Sequence, residues 1–189
     1  MTVFAYILVS LSFGLTMMLL FRACAEKTPI RLTKALAETL FVAAVHVVLF
    51  WVGQRIGGLL RFADAQEPEL YRHTNDLFFL GMMAVVAVRW VVAAFRRKEE
   101  TAYDIERWST VAALAVATGS GVFFIGIADG FLGVVHSRWA MAIPLLLAEF
   151  LLAYLGVMMG RRHKRPTARR WRLLASVLLL AVALFSITY

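Results

Sequence analysis

Apolar residues in this chain do not alternate with polar ones; they run on. Six long apolar stretches stand out, at Val3–Leu20, Ala35–Leu60, Leu77–Phe95, Val111–Val135, Trp139–Gly160 and Leu173–Thr188. Stretches of about 18 or more apolar residues predict helices that span a bilayer, because a helix rises about 1.5 Å per residue and the hydrocarbon core is about 30 Å thick. The six take up nearly the whole chain. The pattern therefore predicts one all-α integral membrane domain over residues 1–189 with six transmembrane helices and no soluble companion domain. The first stretch has no basic flank before it and no A-x-A-like cleavage site after it. It is expected to be a retained helix, not a signal peptide.

Composition agrees, at 61% hydrophobic, against about 45–50% in soluble domains. Charge then orients the helices. The net charge of +8 would suggest nucleic acid in a soluble protein, but here the basic residues sit between apolar stretches. The first, third and fifth connecting regions hold fifteen of the 20 Lys and Arg residues: Arg22, Lys27, Arg31 and Lys34, then Arg96, Arg97, Lys98 and Arg107, then seven within "RRHKRPTARRWR". The second and fourth hold only Arg55, Arg61, Arg72 and Arg138. Basic loops stay on the cytoplasmic side, so both termini are expected outside. The fifth loop is first a topology anchor, and is basic enough to meet anionic lipid head groups. Cys24 is the only cysteine, which excludes an internal disulfide or a CxxC redox pair.

The chain also shows a repeat. "WVGQRIG" closes the second apolar stretch and "YLGVMMG" the fifth. Both read aromatic, aliphatic, Gly, three residues, Gly, at an offset of 103 between Gly53 and Gly156. The same offset carries His46 onto Glu149 and Met18 onto Gly121. With three helices per half, the halves (residues 1–96 and 108–189) are expected to be inverted relative to one another. That is a common transporter arrangement, with its site near the midplane between the halves.

Polar residues inside the stretches are the candidate chemistry. His46 and Glu149 each lie roughly ten residues into a predicted span, or ~15 Å, which places both near the midplane. A mid-membrane carboxylate costs at least ~2.5 kcal/mol and requires a partner. His46 is the natural one, and the pair could carry a proton, coordinate a cation, or simply pin two helices together. Gly14 with Thr16, and Thr118 with Gly119, Ser120 and Gly121, mark places for close packing or a break in a helix. Asp129 is expected near the outer interface, as a helix cap or in an outer vestibule. Arg89 is expected to snorkel to head groups. Glu38 reads as solvated, and His73, His136 and His163 as surface residues. There is no H-E-x-x-H, G-x-S-x-G or Walker motif, so no enzyme is predicted and no cofactor is implied.

Several of these pieces together resemble the MntP-type manganese exporters, a six-helix family in the lysine-exporter superfamily. "SFGLTMM" resembles that family's first-helix motif, "VRWVVAAFR" the end of its third helix, "ATGSG" its fourth-helix motif and "LGVMMGR" the end of its fifth. The resemblance implies an exporter fold in a bacterial inner membrane, multi-pass, with a divalent cation as cargo. It also places the family's two motif aspartates at Met18 and Gly121 and an acidic second-helix residue at His46. The chain thus reads as a divergent cation or small-solute exporter, manganese among the candidates, with a midplane His46/Glu149 site. The alternative is a transport-inactive relative serving as a structural subunit or scaffold. Expected partners are the lipid bilayer, a divalent cation or proton, and a second copy or a membrane-complex protein, with no nucleic acid. Whether a metal binds, and which, stays open.

Overall fold

Backbone groups buried in hydrocarbon must bond to one another, and a helix does this within a single segment. A computed structural model describes residues 3–27, 30–60, 68–95, 103–132, 139–162 and 168–188. These contain six helices: α1 (Val3–Lys27), α2 (Leu32–Leu60), α3 (Pro68–Phe95), α4 (Trp108–Leu132), α5 (Trp139–Arg162) and α6 (Ala168–Thr188). Five of them are long and apolar enough to cross a membrane. The sixth, α6, is not among them; Arg169, Arg170 and Arg172 occupy its first turns. Val135, His136, Arg61, Arg138, Arg96–Lys98 and the loop stretch 163–167 lie outside the described residues.

The outer surface is apolar, as a lipid-facing surface must be. On α5, Ile143, Leu147, Leu151 and Leu155 are exposed at a spacing of four, which puts them on one helical face. The interior holds Phe13, Phe50, Phe79, Met83 and Leu145, and with them the buried polar residues His46, Glu149, Asp129 and Glu38.

Two helix pairs dominate the packing, α1 with α5 and α2 with α4; α3 and α6 close the bundle against α4 and α1 and against each other. Hydrocarbon supplies no hydrophobic drive between helices, so close packing must hold them together and small residues permit it. The glycines do this in matched positions. A Cβ on Gly156 would fall 2.2 Å from Met18 O, and one on Gly160 would fall 2.4 Å from Arg22 O. On the other pair, a Cβ on Gly53 would fall 2.3 Å from Phe123 O, and one on Gly57 2.1 Å from Ile127 O. Gly14 faces Leu152 on α5, while Gly119 faces Leu49 on α2.

Of the two readings of these small residues, close packing or a helix break, the helices favour packing: α1 and α4 run unbroken through Gly14–Thr16 and Thr118–Gly121. The hydroxyls there fold back onto their own helix. Thr16 donates to Phe13 O, Thr118 to Leu114 O and Ser120 to Ala117 O. The glycines serve close approach instead.

These contacts predict a contrast between two glycines of similar sequence context. Gly156→Ala pushes a methyl into the α1 backbone and should cost about 1–3 kcal/mol. Gly58, with nothing near its hypothetical Cβ, should accept alanine with unchanged or slightly raised stability. Thermal unfolding of the detergent-solubilised protein, read by fluorescence-detected gel filtration, checks both.

Candidate functional site

His46 is the midpoint of α2, and Glu149 lies within two residues of the midpoint of α5. The two helices meet there. His46 Nδ1 lies 2.7 Å from Glu149 Oε2, and both side chains are almost wholly shielded, at 0% and 1% exposure. The two residues that the sequence offers as partners are thus in contact, each near the middle of its helix. Each stands seven residues before the first glycine of its G-x-x-x-G pair.

The far side of the ring defines its protonation. His46 Nε2 lies 3.0 Å from Ala115 O and 3.1 Å from Thr118 Oγ1. A carbonyl can only accept, and Thr118 spends its own proton on Leu114 O at 2.7 Å. Nε2 must therefore carry a hydrogen and donate to both. One proton then remains for the Nδ1–Oε2 contact. It sits on His46 as a charged pair or on Glu149 as a neutral one, and in both cases the pair carries no net charge. Glu149 Oε1 is buried and has no hydrogen-bond partner among the described residues. On the Nδ1 side of the ring Glu149 and His46 could hold a cation once the shared proton leaves, while Thr118 Oγ1 and Ala115 O lie on the far side. Among the described residues there is no cluster of three or more His, Cys, Asp or Glu.

Thr118 links this centre to a cavity of about 300 Å³ that Phe13, Thr16, Gly121, Arg89, Tyr103 and Arg172 help to line. Thr16 and Gly121, singled out from sequence as break points, are thus wall residues of a cavity. Thr118 was read with them as a packing residue; its place one turn from Ala115 could have marked it as a partner for His46.

Two expectations change, and a third group gains a partner. Asp129 does not line an open outer vestibule. It is 3% exposed and accepts hydrogen bonds from Tyr6 Oη and Gln54 Nε2, both at 2.8 Å, tying α4 to α1 and α2. Tyr6 and Gln54 were missed, since a tyrosine near a span end and a glutamine between two glycines carry little signal alone. Glu38 is not solvated: it is buried at 0% exposure, with Lys34 Nζ at 3.8 Å. Arg89 is exposed, and its Nη1 donates to Ser120 Oγ at 3.0 Å across to α4. The partners of Asp129 and Arg89 come from neighbouring helices, which hydropathy along one helix cannot reveal; that of Glu38 lies one turn back on its own helix.

Residues 29–187 match the Mntp family model, described as a putative manganese efflux pump. This agrees with the likeness carried by the motifs. No curated protein and no solved structure matches the chain.

The pair predicts its own energetics. Removing one member of a buried ion pair costs about 3–5 kcal/mol, while replacing both with apolar residues is close to neutral. His46→Leu should therefore destabilise strongly, because Glu149 loses its partner. The double replacement His46→Leu with Glu149→Leu should recover most of that loss. A double-mutant cycle on thermal unfolding checks this; additive losses would contradict the pairing.

Proposed function

The chain belongs to the manganese efflux pump family, and from that membership and its central polar pair we propose that it is a proton-coupled exporter of a divalent cation, manganese first. The observation that carries the proposal is the 2.7 Å contact of His46 with Glu149 in the middle of the bundle. An ionisable group at this depth is functional by default. The pair holds one transferable proton, and releasing it leaves a net charge of −1 on Glu149 with the bare Nδ1 of His46 beside it. A carboxylate is the ligand that a hard divalent cation prefers. Reprotonation drives the cation off. Proton and cation therefore compete for one site, which is the minimum needed to couple their movement.

The proposed exporter works by alternating access between two inverted halves in a bacterial cytoplasmic membrane, with both termini outside as the basic loops imply. The glycine contacts support the repeat. Gly53 on Phe123 answers to Gly156 on Met18, Gly57 on Ile127 to Gly160 on Arg22, and Gly119 on Leu49 to Gly14 on Leu152. These contacts relate α2 to α5 by 103 positions but α1 to α4 by 105, so the stretch from Met18 to Gly53 is two residues longer than that from Phe123 to Gly156. Thr16, not Met18, then stands opposite Gly121. Both line the cavity that Thr118 joins to the central pair, and this supports a path that reaches the pair from that cavity.

The competing reading is a transport-inactive scaffold. It draws on Met18 and Gly121, which stand where the resemblance places aspartates.

Cellular manganese content separates the two readings. In an exporter-deficient bacterial host challenged with manganese, the wild-type chain should lower accumulated metal several-fold relative to empty vector. Glu149→Gln keeps the shape but cannot lose a proton or bind the cation as an anion, and should leave accumulation at the vector level. Equal accumulation in all three strains, with the protein present in the membrane, would favour the scaffold.

A further inference from the structure

A second buried carboxylate has no part in the central pair. Glu38 is fully shielded on α2, eight residues before His46. Neither of its oxygens has a hydrogen-bond partner among the described residues, although buried charges are ordinarily both paired and hydrogen-bonded. Its counter-charge is the ammonium of Lys34, 3.8 Å from Oε1 and one turn back on the same helix. Lys34 gives its hydrogen bond to Glu106 O, in the segment just before α4. The ammonium therefore lies between a carboxylate and a carbonyl from two parts of the chain, and such oxygens are the ligands of a hard cation. It is also the accessible end of the pair, since the Lys34 side chain is 32% exposed and Glu106 is exposed too. Glu38, Val42 and His46 follow at a spacing of four, share one face of α2 and are all buried. Helical rise sets Glu38 ~12 Å from His46 along the axis, towards the end of α2 that the basic loops assign to the cytoplasm.

We propose that Glu38, with Glu106 O, is an entry site for a hard divalent cation, and that the Lys34 ammonium is the resident counter-charge which the cation displaces. The inference rests on the exporter reading for the onward step to Glu149; binding at Glu38 does not need that step. Lys34 keeps the empty site from holding a bare buried carboxylate, which would cost several kcal/mol. Its tether makes the exchange reversible, because the ammonium returns when the cation leaves. It also favours valence two. A monovalent ion brings no more charge than the lysine it must expel, whereas a divalent ion brings twice as much and is attracted twice as strongly at equal distance.

Manganese binding to the purified full-length protein in neutral detergent tests this, read by the loss of the free Mn(II) paramagnetic resonance signal. Lys34→Gln removes the resident competitor and should tighten manganese binding about tenfold or more, with Lys34→Arg close to wild type. Adding Glu38→Gln to Lys34→Gln should abolish the gain. Adding Glu149→Gln instead should leave the gain in place, which separates this site from the central pair. Thermal unfolding gives a second readout. Lys34→Gln should unfold at a lower temperature without metal, and manganese should restore it in a saturable manner that the double variant with Glu38→Gln lacks. Gel filtration confirms that each variant is folded. An ion pair with a purely structural role predicts the lower unfolding temperature without rescue by manganese; that result, or tightened binding that survives Glu38→Gln, overturns the site. Manganese bound only through Glu149, with no effect of Lys34 or Glu38 variants, removes the entry site and leaves the exporter reading standing. Binding through Glu38 in a protein that leaves cellular manganese unchanged keeps the site and removes the exporter reading.

Discussion

Glu149 can stay at the centre of this bundle only because His46 faces it. A lone carboxylate at this depth would cost several kcal/mol, and the imidazole at 2.7 Å offsets that cost by sharing one proton with it. The rest of the core serves that contact. Ala115 and Thr118 orient the ring from α4. The glycine seams of α2 with α4 and α1 with α5 then fix how far apart the two ring-bearing and carboxylate-bearing helices stand. A methyl group at Gly53 or Gly156 would clash with a facing carbonyl and shift the helix that carries His46 or Glu149.

Polar cross-links hold the helices together at both ends of the bundle. Asp129 binds Tyr6 and Gln54 at one end; Lys34 reaches Glu38 and Glu106 O at the other. Between them lies the cavity, bounded by helices from both halves. A proton or cation at the central pair changes its charge by one or two units in surroundings of low dielectric, where such a change acts strongly on the neighbouring helices.

Much of this was legible in the chain. Uninterrupted apolar runs dictate spans, and five of the six predicted ones are helices of membrane-crossing length. The G-x-x-x-G pairs placed His46 and Glu149 at equal depth, because helical rise converts position into height. What escaped was direction around the helix axis. Asp129 and Arg89 each turn towards a neighbour whose identity depends on how the helices are arranged, and the burial of Glu38 depends on it too. The pairing of α1 with α5 and of α2 with α4 escaped for a related reason. A G-x-x-x-G motif marks register on α2 and α5, while α1 and α4 present backbone carbonyls to those glycines, and carbonyls leave no trace in the sequence. The cavity was invisible because Thr16, Arg89, Tyr103 and Arg172 come from separate segments and converge only in space.

The central claim is that one proton and one divalent cation compete for His46 and Glu149. Its most direct test is proton movement across proteoliposomes containing the purified protein and a trapped pH-sensitive dye. A manganese gradient imposed in the absence of any pH gradient should drive protons in the opposite direction. The rate should saturate with metal, and Glu149→Gln should reduce it to that of empty liposomes. Manganese entry with no accompanying pH change, or a pH change that persists undiminished in Glu149→Gln, would contradict the account.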